Sequence, residues 1–291
     1  MEGILVRGIG SFYTAVTETG EAFTLRAKKK FRHQRLTPMV GDRVRFTPGS
    51  GEEEGWVEEI LPRRSVFVRP PVANVETLLI TVAPVPQPDL LLVDRLLVEC
   101  RRQGLRSLLV VNKCDLDGAL AEQLRREYRG AEAEVLPVSA RTGAGLEALR
   151  AAVGGSLCCL AGQSGVGKST LLGALTGIDL ETGEISRRIA RGKNTTRRAE
   201  LILSGGLRIF DTAGFSLLAL SGLEEPENLR LYWPEFAGHE GSCRFQPCLH
   251  NREPGCSVQA AAAAGTLSPA RLERYRQLLA EVREAWDARY D

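Results

Sequence analysis

The sequence has no apolar run long enough to cross a bilayer, so a helical membrane protein is not expected. Its first residues, Met1-Glu2-Gly3-Ile4-Leu5-Val6-Arg7, lack an apolar stretch of secretory length. No signal peptide is therefore expected, and the chain reads as cytoplasmic. It also lacks a dominant charge: 38 Lys and Arg stand against 36 Asp and Glu, a net of +2. The total says nothing about partners, so any basic signal must be local. Seven cysteines are an odd number for a disulfide framework, and 291 residues can bury a core without one. What is present, 43% hydrophobic and 25% charged residues, is ordinary for a globular chain of two or three domains.

One stretch organises the rest. Gly162-Gln163-Ser164-Gly165-Val166-Gly167-Lys168-Ser169 fits G-x-x-x-x-G-K-[ST], the P-loop. A buried-strand pattern, residues 156–161, precedes it, and a helix pattern from Thr170 follows it. In that context the glycines let backbone N–H groups curl around phosphate oxygens at a helix N-terminus. Lys168 would reach the β- and γ-phosphates, and the Ser169 hydroxyl would ligate Mg²⁺. The alternative is a glycine-rich turn that binds nothing.

Residues 1–70 read as five short β-prone runs separated by turn signals, which suits a small OB-type barrel. Between the third and fourth runs lies Lys28-Lys29-Lys30-Phe31-Arg32-His33-Gln34-Arg35, with five fixed positive charges and one aromatic. On such a barrel it would suit RNA phosphates, with a base stacked on Phe31. Otherwise it is a solvated loop that confers solubility. Pro70-Pro71 marks a boundary, and residues 71–222 alternate buried strands with helical patterns, as in a doubly wound parallel sheet.

Asn112-Lys113-Cys114-Asp115 is N-K-x-D at the end of a predicted strand. The Asp115 carboxylate can accept from the N1–H and exocyclic amine of guanine, and it would face an acceptor on adenine. Asn112 can bond the N7 edge, and the Lys113 stem can cover the ring. Ser139-Ala140-Arg141 resembles the S-A-K loop, whose backbone N–H meets guanine O6. After the P-loop come Asn194-Thr195-Thr196, with Thr196 favoured as the second Mg²⁺ ligand, and Asp211-Thr212-Ala213-Gly214, a D-T-x-G. Asp211 would hold Mg²⁺ through water, and the Gly214 N–H would sense the γ-phosphate. The order is permuted, because N-K-x-D and S-A-R precede the P-loop instead of following it.

Residues 223–291 carry Cys243, Cys248, His250 and Cys256, four donors within fourteen residues. Cys₃His is a structural Zn²⁺ set with no open position for catalysis. The competing reading is reduced thiols packed in a core. Ser268-Pro269 would begin a last helix.

The permuted motif order, the barrel and the Cys₃His segment together resemble the RsgA (YjeQ) family over nearly the whole chain. That resemblance implies an OB domain, a circularly permuted GTPase domain and a zinc domain. It implies GTP/GDP, Mg²⁺ and one Zn²⁺ as cofactors. It also implies the 30S ribosomal subunit and its 16S rRNA as partners, with hydrolysis stimulated by the subunit during late maturation. Other assembly factors are further candidate partners; no membrane is expected, and the chain is expected to act as a monomer. One departure is Asn194, where the family usually has histidine before the switch threonines. Phe215 also stands where a Ras-type glutamine would orient water. Two rivals stay open: another translation or tRNA-modification GTPase, and a GTP-gated RNA-binding scaffold.

Overall fold

The computed structural model describes residues 1–50, 53–68, 70–178, 199–212 and 225–289. Five strands open the chain: β1 (Glu2–Ile9), β2 (Phe12–Val16), β3 (Ala22–Ala27), β4 (Arg43–Thr47) and β5 (Gly55–Ile60). They pair in the order β1-β2-β3-β5-β4, and β4 returns to β1. The result is a closed barrel of OB type, which leaves no strand edge within it. Strand alternation turns Leu5, Ala15, Leu25, Val44, Phe46 and Val57 inward. A short helix, α1 (Lys30–His33), lies between β3 and β4. A small hairpin of β6 (Val66–Val68) and β7 (Pro71–Ala73) follows the barrel.

The α/β part contains β8 (Thr77–Val82), α2 (Leu90–Gln103), β9 (Arg106–Val111), α3 (Ala119–Glu127) and β10 (Glu134–Pro137). It continues with α4 (Leu146–Val153), β11 (Leu157–Ala161), α5 (Lys168–Thr176), β12 (Glu200–Ser204) and β13 (Leu207–Asp211). The strand order is β10-β9-β8-β11-β13-β12, parallel except for β12, which runs antiparallel to β13. Helices cover both faces, so the central strands are apolar throughout. Leu78, Ile80 and Val82 pack with Leu92, Leu96 and Leu124 of α2 and α3. Leu79, Leu108 and Val110 pack with Leu149, Leu171 and Leu175 of α4 and α5. The barrel joins this sheet at its edge, where Arg7 of β1 pairs with Glu200 of β12.

The C-terminal part has 3₁₀ turns at Pro226–Tyr232 and Pro234–His239, then α6 (Ser257–Ala263) and α7 (Pro269–Asp287). Ser268 caps α7, its side chain accepting from the Arg271 N–H at 3.2 Å, and Pro269 fills the first turn. Trp233, Phe236, Tyr275 and Leu278 form the core here, together with Val98 of α2. Helix α2 is thus shared between two cores. A buried ion network seals the contact: Asp94 accepts from Arg271 at 2.5 Å and from Arg274. The same arginines pair with Glu235 and Glu127, each at 2.6 Å.

Candidate functional site

The chain leaves β8 toward β9 and β10, but leaves β11 toward β13 and β12 on the other side. Neighbouring parallel strands whose connections diverge open a crevice at their carboxyl ends, where α/β sheets bind ligands. The P-loop leaves β11 at that point. Gly162, at φ +130°, passes so close to the Thr81 carbonyl that a Cβ would overlap it. At Gly167, φ +90°, a Cβ would lie 2.6 Å from the Asn112 side-chain nitrogen. The loop therefore needs glycine both for its turn and for its approach to neighbouring strands.

Lys168 opens α5, and its ammonium donates to the carbonyls of Gly162 and Gln163, each at 2.7 Å. Burial holds its pKa below the ordinary lysine value. Val166 is buried, whereas Ser164 and Gly165 are exposed, as are Ser169 and Thr170 in the first turn of α5. The Gln163 side chain turns sideways. Its carbonyl accepts from the Asp89 N–H at 2.6 Å, and its amide donates to the Gln87 carbonyl at 2.9 Å. This clamp onto the loop before α2 has no signature in the P-loop motif.

Asn112, Lys113 and Asp115 follow β9, and Ser139, Ala140 and Arg141 follow β10. Asn112, buried, donates to the Val166 carbonyl at 2.9 Å and accepts from the Ala140 N–H at 3.1 Å. One amide thus ties three separate segments together. Lys113 donates to the carbonyls of Val85 and Gly165, each at 2.7 Å. Asp115 accepts from the Ser139 hydroxyl at 2.5 Å and pairs with Arg141. The Ser139 hydrogen bond, followed by the Arg141 guanidinium, holds its pKa below the usual carboxylate value. These six residues, with Leu116, Gly167 and Thr170, line one cavity of about 390 Å³. Leu116 was not legible as a wall of this cavity in the sequence, because N-K-x-D says nothing about the next residue.

Asp211 ends β13, one residue beyond Phe210, which pairs with Cys159 of the P-loop strand. Burial raises its pKa, as does Glu200, its direct partner across β12. Asn194, Thr195, Thr196, Gly214 and Phe215 lie outside the described residues.

The second cluster brings together the Cys243, Cys248 and Cys256 sulfurs and a ring nitrogen of His250, all within 4.8 Å of one another and all buried. Cys243 Sγ lies 3.7 Å from His250 Nδ1 and 4.0 Å from Cys256 Sγ, and His250 Nδ1 lies 3.4 Å from Cys256 Sγ. Zinc–sulfur bonds near 2.3 Å and zinc–nitrogen bonds near 2.1 Å define a tetrahedron with edges of about 3.6–3.8 Å. The donors therefore fit a metal ion in both type and spacing. Burial lowers the His250 pKa, which favours the neutral imidazole that a ligand must be. Its other nitrogen faces Glu240 at 3.8 Å, a carboxylate placed as an outer partner. Burial pushes the Cys248 thiol up to about 12, so ionising it calls for a compensating cation.

One expectation is corrected. Phe31 does not present its ring to solvent; it is 3% exposed and belongs to the barrel core. It anchors α1, leaving Lys29, Lys30 and Arg35 exposed around it. A single aromatic in a basic run gave no sign of facing inward, because the inward direction depends on how α1 closes the barrel.

Residues 60–221 match the family model described as RsgA GTPase, and residues 2–57 match the one described as RsgA N-terminal domain. The small ribosomal subunit biogenesis GTPase RsgA of Geobacillus thermodenitrificans is 42% identical, covering 97% of this chain and 98% of its own. Its namesake from Moorella thermoacetica is 43% identical, covering 97% of each. The crystal structure of YjeQ from Thermotoga maritima matches with a TM-score of 0.82 at 33% identity, over 96% of this chain and 97% of that one. YloQ, described as a circularly permuted GTPase, matches with a TM-score of 0.77 at 28% identity, over 98% and 95%. Agreement of this kind along the full length, in both sequence and fold, leaves one conclusion: the chain belongs to the RsgA family and is a GTPase.

Proposed function

We propose that this GTPase acts in biogenesis of the small ribosomal subunit, binding the 30S particle and its 16S rRNA in the GTP form and leaving after hydrolysis. The small-subunit role rests on the relatives named above, and the nucleotide part rests most on Asn112, whose one side chain joins the P-loop to the S-A-R loop beside Asp115. That junction brings residues of all three segments to the wall of one cavity. In this reading Asp115 selects guanine, Asn112 and Lys113 frame the base, and the Ala140 and Arg141 backbone meets O6. Residues Gly162 to Thr170 hold the phosphates. Lys168 neutralises charge on the β- and γ-phosphates, and Ser169 and Thr196 ligate Mg²⁺. Asp211 orients a Mg²⁺-bound water, and Gly214 senses the γ-phosphate.

Cys243, Cys248, His250 and Cys256 would hold one Zn²⁺, which stabilises the C-terminal fold and performs no chemistry. The working units are an RNA-binding barrel over residues 1–70, the GTPase unit over 71–222 and a zinc unit over 223–291. The chain acts as a monomer in the cytoplasm, and other assembly factors are further partners. Full rate requires the particle, because Phe215 cannot orient water as glutamine does. The test is GTP turnover and co-sedimentation with 30S subunits in GTP, GDP and a non-hydrolysable analogue. Stimulation of about 10³ to 10⁵ is the range that supplied positioning gives in related systems. Equal turnover with and without 30S would refute the coupling.

A further inference from the structure

The barrel interior is filled without Phe12 or Trp56, yet both rings stand on its outside, 38% and 44% exposed. They are not scattered. Phe12 of β2 is directly opposite Arg26 of β3, and Arg26 is directly opposite Trp56 of β5. Residues opposite one another share a face, and their inward neighbours Tyr13, Leu25 and Val57 confirm the alternation. Ile9 of β1, 39% exposed, extends the row on the far side of Phe12. The Arg26 guanidinium sits 4.6 Å from the Phe12 ring centroid and pairs with Glu54. Two inter-strand steps, about 9–10 Å, separate the two aromatic residues, so each ring can serve a different base.

The same rim leads into the basic segment. Arg26 is two residues before Lys28, which pairs with Glu58. Lys29, Lys30 and Arg35 are exposed and form no salt bridge among the described residues, although Lys30 acts on Glu58 and lies over the Phe31 ring. Exposed aromatic rings in a row, a guanidinium lying over one face of Phe12 and exposed cations at one end match unpaired nucleotides, whose bases stack while their phosphates seek charge. A duplex hides its base faces and could use only the cations.

We propose that Phe12, Arg26 and Trp56 form a stacking platform for an unpaired stretch of RNA, whose phosphates continue onto Lys29, Lys30 and Arg35. This rests on the reading of the barrel as an RNA-binding unit. It replaces Phe31 as the stacking residue with two others on different strands.

The test uses the full-length protein and a fluorescently labelled ten-nucleotide oligouridylate, followed by anisotropy across a salt series. Phe12→Ala and Trp56→Ala should each weaken binding roughly tenfold, the contribution of about one stacked base. Trp56→Phe should recover most of the loss, and the salt dependence of the aromatic variants should match the parent. Lys29→Ala with Lys30→Ala should instead flatten the salt dependence by about one to two phosphate contacts. An unlabelled RNA duplex should compete poorly. Parental affinity in both alanine variants would overturn the platform, as would duplex competing as well as the single strand. If the parent is stimulated by 30S and the aromatic variants are equally stimulated and bind equally, the platform fails while the ribosomal reading stands. If the variants lose 30S binding but the parent binds no oligouridylate, the row does not meet unpaired RNA and the assignment is wrong.

Discussion

Replacing Asp94 with alanine should loosen the C-terminal part of the chain and leave the GTPase sheet standing. Asp94 is fully buried on α2 and accepts from Arg271 at 2.5 Å and from Arg274. Its removal costs two charge-assisted hydrogen bonds, each worth about 1.5–3 kcal/mol. Charge balance works the other way. The network has three carboxylates, Asp94, Glu127 and Glu235, against two guanidiniums, so without Asp94 it becomes two against two. Arg271 keeps Glu235 and Arg274 keeps Glu127, each at 2.6 Å, so neither charge is left alone. The expected loss is therefore about 3 kcal/mol, the low end for breaking a buried ion network. Hydrogen exchange read peptide by peptide is the assay. Residues 225–289 should exchange about a hundredfold faster, while β8 and β9 keep their protection. Asp94→Asn should cost about half as much, since it keeps one acceptor. Adding Arg271→Met and Arg274→Leu to Asp94→Leu should restore little, because Glu235 and Glu127 then lose their only guanidinium partners among the described residues. A shift below about 1 kcal/mol in Asp94→Ala, or equal loosening of β8 and β9, would refute the argument.

Three further outcomes are expected. Asp115→Asn should lose roughly 2–3 kcal/mol of GTP affinity and gain affinity for xanthosine triphosphate, read from competition with a fluorescent nucleotide. Arg141→Ala should move the acid limit of GDP binding to higher pH. Asp115 has a lowered pKa in the folded protein, so its contribution is present above the ordinary carboxylate range and lost as pH falls through the lowered value. An unchanged pH profile would show that the guanidinium does not act on Asp115. Purified protein should carry about one Zn²⁺ per chain by elemental analysis. Cys248→Ala should expose residues 225–289 to protease while GDP affinity stays within a few-fold; loss of both together would show that the metal supports the whole molecule.

The sequence by itself marked the candidate chemistry, because each motif is a local requirement. A P-loop needs glycines at fixed offsets from its lysine, guanine selection needs a carboxylate three residues after an asparagine, and a zinc set needs its donors within a short loop. Ser268-Pro269 likewise wrote the start of α7 directly into the chain. Strand periodicity carried the barrel and the parallel sheet, since burial on one face or on two leaves different patterns. Tertiary structure alone decided what depends on distant pairing. Phe31 reads in sequence as a residue facing RNA, yet α1 folds it into the barrel core, while β2 turns Phe12 outward. The Gln163 clamp, the junction of Arg7 with Glu200 and the burial of Asp94 between two arginines each join segments 74 or more residues apart. No local pattern can encode such contacts, because they exist only once two independently specified surfaces have met.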